Sequence, residues 1–302
     1  MSEREWIHKY IRPLVRAGGA DDLRDDVAML RTSGVMIATL DTLVQGVHFL
    51  PSDPLDTVGQ KLVRVNVSDI YAKGALPREA LLSVAWPKER AEAEFEGLMD
   101  GVAKDLEAFE FELIGGDFVS TEGPLVVSLA LTGLSISAGP VRRTGGIAPG
   151  DKLWVSGQIG HGAIGLEAAL NGGSASRIQN YRVPRPPDAK AAALVTKFGK
   201  AAMDVSDGLL QDIETLVSVN GRGAEINLSR VELADPSHDL ERVMMQVTGG
   251  DDYQILVVTS PEVSLPPQHF SYIGEIASAP GLHLQFNGEV VNLPETLGFE
   301  HR

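Results

Sequence analysis

Aspartates recur along this chain at the joints between apolar runs and Gly or Ser turns. Asp25-Asp26 precede Val27-Ala28-Met29-Leu30, Asp41 follows Val35–Leu40, Asp69 ends Val65-Asn66-Val67-Ser68, and Asp117 follows Leu113-Ile114-Gly115-Gly116. The second half adds Asp204 and Asp207 in Asp204-Val205-Ser206-Asp207-Gly208, and Asp251-Asp252 after Gly249-Gly250. A single such Asp is a helix N-cap or a turn former. Repetition of the pattern asks for more, because the strand ends of an α/β domain gather along one sheet edge, where ligands bind. Carboxylates gathered there repel one another unless a positive charge sits between them. Few Lys or Arg flank these motifs, so a hard divalent cation is the better partner. Mg²⁺ takes oxygen ligands and keeps part of its shell for water and phosphate. Gly115-Gly116 and Gly208 let backbone N–H groups approach phosphate oxygens. Arg142-Arg143-Thr144-Gly145 is the one basic turn near the middle boundary of the chain, and it reads equally as a solvated loop or a phosphate contact.

Other nucleotide and hydrolase signatures are missing. There is no G-x-x-x-x-G-K-[ST], no protein-kinase set, no H-E-x-x-H and no G-x-S-x-G. Gly160-His161-Gly162-Ala163-Ile164-Gly165 does match G-x-G-x-x-G after a strand pattern. The acidic residue required about 20 positions on is absent, so the match reads as a structural strand-to-helix turn, with a dehydrogenase as the outside alternative.

The elements that must carry these residues follow from periodicity. Val35–Leu40, Ala80–Ala85 and Leu125–Leu134 read as strands, and Leu55–Tyr71 and Lys88–Phe109 as helices. A loop over Ser135–Gly150 makes the best boundary, dividing an N-terminal domain, 1–138, from a C-terminal one, 139–302. Beyond it come strands at Lys152–Ser156, Ala201–Val205 and Tyr253–Val258, and helices at Ile164–Leu170, Ala189–Phe198 and Leu209–Val219. Asn171–Pro187 is polar and reads as a surface loop. Leu282–Phe286, Asn287-Gly288 and Glu289–Leu293 spell a β-hairpin with a type I′ turn. Val67-Ser68-Asp69 with Gly115-Gly116-Asp117 is echoed by Val205-Ser206-Asp207 with Gly249-Gly250-Asp251, which suggests a duplication. Both halves are α/β.

Composition sets the bounds. The 302 residues are 43% hydrophobic and 22% charged, enough for buried cores and for about two domains. The net charge of −15 disfavours nucleic acid and anionic membrane as partners. Absence of Cys excludes disulfides, thiolate metal sites and a Cys nucleophile. Met1–Arg16 carries charge throughout rather than a signal-peptide pattern, so a cytoplasmic protein is expected.

Taken together, the motifs resemble the thiamine-monophosphate kinase family, within the superfamily of aminoimidazole ribonucleotide synthetase, selenophosphate synthetase and a hydrogenase maturation dehydratase. The resemblance runs from Asp25-Asp26-Val27-Ala28 through Thr39–Phe49, Asn66–Ala75, Leu113–Asp117, Arg143-Thr144-Gly145, Asp204–Leu209 and Gly249–Tyr253. The stretch Asp41-Thr42-Leu43-Val44-Gln45-Gly46-Val47-His48-Phe49 points to the thiamine enzymes, and the lack of Cys points away from the selenium and hydrogenase branches. The resemblance implies a two-domain synthetase-superfamily fold, its N-terminal sheet pairing with a second copy to give a homodimer. It implies several Mg²⁺ ions held by Asp26, Thr39, Asp41, Asp69, Asp117, Asp204 and Asp207, ATP met by Gly116, Asp117, Arg143 and Ser206, and thiamine monophosphate met by His48, Gln254 and Phe299. The implied reaction is in-line phosphoryl transfer from ATP, with no classical acid or base. A ring-closing synthetase with the same ATP site is the alternative. Arg24, Leu40 and Gln254 depart from the family pattern of Gly, Ser or Thr, and Glu at those positions. From spacing alone, His48 reads as a histidine buttressing the turn at Gly46.

Overall fold

The computed structural model describes residues 7–16 and 34–299, so Arg24 and the predicted ligand Asp26 lie outside the described residues. The chain divides into two units: Met1–Ile70 with Leu76–Ala138, and Tyr71–Ala75 with Gly139–Arg302.

In the first unit the strands are β1 (Met36–Val44), β2 (Ala75–Pro87), β3 (Glu112–Thr121) and β4 (Val126–Ser135), and the helices α1 (Leu55–Ala72) and α2 (Glu92–Ala108). They form one sheet in the order β1-β4-β2-β3. The alternation of Val127, Leu129 and Leu131 with small or polar residues makes β4 a strand with one fully buried face. β1 runs antiparallel to it, with Thr39 opposite Leu131, Leu40 opposite Ala130 and Asp41 opposite Leu129. Opposed residues share a face. Thr39 and Asp41 therefore point to the covered side, and Leu40 points away and is 64% exposed. α2 lays Phe95 edge-on against Trp86 of β2 and Phe118 of β3. Between β2 and β3 the register skips Ile114, a bulge just ahead of Gly115-Gly116.

The second unit contains β5 (Lys152–Ser156), α3 (His161–Asn171), α4 (Ala175–Arg182), α5 (Ala189–Phe198), β6 (Gly199–Val205), α6 (Leu209–Ser218), β7 (Gly223–Asn227), α7 (Leu240–Thr248), β8 (Gln254–Thr259), β9 (Phe270–Ala277), β10 (Gly281–Phe286) and β11 (Glu289–Val291). Its mixed sheet has the order β11-β10-β7-β9-β5-β8-β6. Every residue of β8 is buried, so the run Gln-Ile-Leu-Val-Val-Thr reads as an interior strand rather than an alternating one. Val155, Met203, Leu209, Ile213, Val243 and Leu256 belong to one apolar core.

Asn171–Pro187 is not a plain loop, because α4 occupies 175–182. Ser174 caps it by accepting the Arg177 N–H, and Tyr181 is its one buried residue. So polar a helix shows almost no amphipathic pattern. β7, α7 and β9 are further elements that the sequence periodicity does not predict. The hairpin turn has positive φ at Asn287 (52°) and Gly288 (84°), as a type I′ turn requires. Among the described residues no helix is long and apolar enough to cross a membrane.

Candidate active site

β1 and α1 bring two carboxylates together in the first unit. On α1, Asn66 and Asp69 are three residues apart and face the same way. The Thr39 hydroxyl donates to Asp69 Oδ2. The Asp41 N–H donates to Asn66 Oδ1 at 3.2 Å, and Asn66 Nδ2 donates to the Leu62 carbonyl at 2.9 Å. Burial, and then the negative charge of Asp69, push the Asp41 carboxyl up to about 7. Asn66 is fully buried and fixes the backbone of Asp41, a role its sequence position did not reveal. Asp117 lies on β3, at the opposite edge of the sheet from β1. Three strand spacings, about 14 Å, separate those edges. Gly116 is bare for a local reason as well, since a Cβ there would lie 2.0 Å from the Leu82 carbonyl oxygen.

His48 folds back on β1. Its Nδ1 accepts the Val44 N–H at 3.0 Å, which places the proton of the neutral ring on Nε2. Its carbonyl accepts from the buried Lys61 Nζ at 2.9 Å.

In the second unit three strand ends meet at one sheet edge. Val205, ending β6, is opposite Gln254, which opens β8, and Val155 of β5 is opposite Leu256. The Asp251 N–H donates to the Ser206 carbonyl at 2.8 Å, and the Tyr253 N–H to that of Val205 at 2.7 Å. Asp251 and Tyr253 both have positive φ, 70° and 52°. Left-handed non-glycine backbone costs on the order of 1–3 kcal/mol per residue and persists where its surroundings over-determine it. Here the Tyr253 hydroxyl also donates to Asp251 Oδ1 at 2.8 Å.

The Ser206-Asp207 turn is held by Asp212, one turn into α6. Its Oδ2 accepts both N–H groups, at 3.0 and 3.1 Å. Burial, and then the charge of Asp207, raise the Asp212 carboxyl to about 7, against the pull of those N–H groups and of Arg143. Arg143 is exposed, and its carbonyl accepts from Asn220 Nδ2 at 2.9 Å. Asp204 is buried on β6. Phe299 docks its N–H on the Asp207 carbonyl at 2.8 Å and leaves its side chain half exposed. Gln254 is bound up in protein contacts: its Oε1 accepts from Ser156 Oγ, and its Nε2 donates to the Arg185 and Asp252 carbonyls. A cavity of about 330 Å³ lies beside it, bordered by His161, Asn180, Arg185 and Asp251. His161 is held below its usual pKa by burial and then by Arg185.

The Gly160–Gly165 motif opens α3, and its N-terminal N–H groups already have a side-chain acceptor. The Asp252 carboxylate accepts from Gly160 N at 2.8 Å and Gly162 N at 3.1 Å. A Cβ on Gly162 would lie 2.1 Å from the Gly250 carbonyl oxygen, so this glycine is required by packing.

The predicted ligands thus fall into separate groups: Thr39, Asp41 and Asp69 in the first unit, Asp117 across its sheet, and Asp204 and Asp207 in the second unit. Among the described residues no three His, Asp or Glu side chains are gathered so as to hold a metal ion by themselves.

The sequence matches the family described as AIR synthase related protein, its N-terminal domain over residues 24–135 and its C-terminal domain over 148–296. It is 35% identical to the thiamine-monophosphate kinase of Caulobacter vibrioides, over 99% of this chain and 91% of that protein. The chain belongs to the thiamine-monophosphate kinase family. Among solved structures, the thiamine monophosphate kinase of Aquifex aeolicus superimposes with a TM-score of 0.75 at 30% identity, covering 85% of this chain and 89% of that one. A second structure, AaThiL complexed with AMPPCP and TMP, gives the same score at 29% identity, covering 87% and 86%. The thiamine-monophosphate kinase of Stenotrophomonas maltophilia gives 0.78 at 26% identity, with 95% of each chain covered.

Proposed function

We propose that this protein transfers the γ-phosphoryl group of ATP to thiamine monophosphate, giving thiamine diphosphate and ADP. Family membership supports the reaction. The observation in this chain that carries it is the Asp41–Asp69 pair. Burial and like charge both raise Asp41, and a divalent cation would relieve both. Its donor set of carboxylates and the Thr39 hydroxyl is the hard oxygen chemistry that Mg²⁺ prefers. When bound, Mg²⁺ would neutralise charge on the phosphates of donor and acceptor.

The protein's own groups then position. Asn66 fixes the Asp41 backbone, and Asp212 fixes Ser206 and Asp207. Gly116, Asp117, Arg143 and Ser206 are assigned to ATP, and His48, Gln254 and Phe299 to thiamine monophosphate. Asp26, Asp204 and Asp207 complete the proposed metal ligands. His48, with its proton on Nε2, can donate to an acceptor oxygen. Of the acceptor residues, Gln254 acts through the turn it braces, since its amide is committed to protein partners. Transfer of this kind needs neutralisation and alignment more than a strong base.

The separation of Asp41 from Asp117 across the sheet supports a homodimer in which a second copy completes the site. Leu40, Leu81 and Val119 are exposed on strands of this sheet and would be covered there. A cytoplasmic location suits a reaction that consumes ATP. The test is to incubate pure protein with ATP, Mg²⁺ and thiamine monophosphate. Thiamine diphosphate and ADP should appear in equal amounts, and ADP release indifferent to thiamine monophosphate would contradict the reading.

A further inference from the structure

We infer that Asp252 is a positioning residue for the acceptor side of the site, its carboxylate standing where the Gly160–Gly165 motif would otherwise hold a phosphate. The Asp252 side chain is 3% exposed and lies 92 residues from the glycine it binds. A helix N-terminus presents N–H donors and positive partial charge, and attracts an anion. In this chain Gly160 and Gly162 give their N–H groups to Asp252. The glycine spacing that resembles a dinucleotide site therefore serves an internal contact, which closes this helix end to nucleotide phosphate.

The contact acts on the turn that follows β6 in space. From one side, Asp251 and Tyr253 are tied by their N–H groups to Ser206 and Val205. From the other, Asp252 ties the same turn to α3. Gln254 adds a strut by donating to the Asp252 carbonyl at 3.2 Å. Two left-handed residues flank Asp252, so the turn depends on being held at both sides. Loss of the Asp252 anchor leaves the Ser206-Asp207 turn with its own support, Asp212. The two aspartates thus separate by function: Asp212 holds the turn assigned to ATP and metal, and Asp252 holds the turn assigned to the acceptor. This inference rests on the proposed acceptor role of that turn.

The experiment compares wild-type protein with Asp252→Ala and the milder Asp252→Asn, using formate as the probe for the missing carboxylate. Amide exchange is read on the segment 157–165, and KM is read for each substrate. In Asp252→Ala, exchange at Gly160 and Gly162 should accelerate about tenfold or more, matching the loss of the two hydrogen bonds that hold these N–H groups. Formate should restore it and chloride should not. KM for thiamine monophosphate should rise about tenfold, with KM for ATP nearly unchanged and part of the loss recovered by formate. Asp252→Asn should fall between the two. Unchanged exchange in a folded variant would overturn the inference, as would an equal rise in both KM values or none. Wild-type protein that does not phosphorylate thiamine monophosphate would refute the proposed reaction, and exchange would still decide whether the anchor exists.

Discussion

Phe299 donates its backbone N–H to the carbonyl of Asp207 at 2.8 Å, so the last described residue of the chain is fixed to the turn that carries a proposed metal ligand. A half-exposed aromatic ring placed there suits the face of a heteroaromatic acceptor. Phe299→Ala should raise KM for thiamine monophosphate about tenfold and leave KM for ATP within about twofold. Steady-state kinetics with each substrate varied in turn would check this. Equal effects on both would remove Phe299 from the acceptor site.

Asp41 and Asp69 predict opposite effects on stability and activity. In metal-free buffer Asp41→Asn should raise the thermal midpoint, because it removes a buried carboxyl that is pushed up by burial and by Asp69. The same change should lower turnover by about 100-fold or more. Mg²⁺ with ATP should stabilise the wild type and not the variant. Thermal scans with and without EDTA test the pair, and a variant that is less stable in EDTA would count against the repulsion.

Asp212→Ala should raise the Mg²⁺ concentration for half-maximal activity by about tenfold, since it releases the N–H groups of Ser206 and Asp207. Asp212→Asn, which keeps an acceptor oxygen, should have a smaller effect. A drop in stability with unchanged Mg²⁺ dependence would make Asp212 merely structural.

The fold and the site were legible in the sequence to different degrees. β5 and α5 begin and end where periodicity and turn residues place them, because their signals are local. Asp41 and Asp69 stand out in the sequence as recurring carboxylates and Thr39 enters through the family resemblance, but it takes the packing of α1 on β1 to set these three apart from the other predicted ligands. The role of Asp252 was not legible, because a carboxylate that accepts N–H groups from the start of a helix 92 and 90 residues away leaves no spacing pattern. α4 was hidden by its polar composition, and its one cue was Ser174 at the cap. The motifs make Asp41, Asp69 and Asp117 look alike as residues that end strands, whereas Asp41 lies within β1, Asp69 within α1 and Asp117 within β3, and only the order β1-β4-β2-β3 sets Asp41 and Asp117 on opposite edges.

Burial raises the Asp252 carboxyl to about 7 against the pull of its backbone donors. A folded pKa above the unfolded value gives a stabilising contribution that is full below about pH 4 and is lost as pH rises through 7. Asp252→Asn has no such group to ionise. The thermal midpoint of the wild type minus that of the variant should therefore fall between pH 5 and pH 8, by on the order of 5 °C. Calorimetry of both proteins across that range measures it, and a constant or growing difference would contradict the assignment.

Leu40, 64% exposed on the face opposite Asp41, gives a test of assembly that leaves the acidic pair intact. The wild type should sediment as a dimer at micromolar concentration. Leu40→Glu should shift it toward monomer and reduce activity in parallel, because charge at a covered apolar face is costly. A fully active wild-type monomer would refute the shared site.

The most direct measurement follows the phosphoryl group itself. ATP labelled at the γ-phosphate is supplied with Mg²⁺ and either thiamine monophosphate or formylglycinamidine ribonucleotide, and products are separated by chromatography. Phosphoryl transfer predicts the label in the terminal phosphate of thiamine diphosphate, with unlabelled ADP in equal amount and no reaction with the ribonucleotide. Label released as inorganic phosphate, together with aminoimidazole ribonucleotide from the second substrate, would contradict the kinase reading and assign a ring-closing synthetase instead.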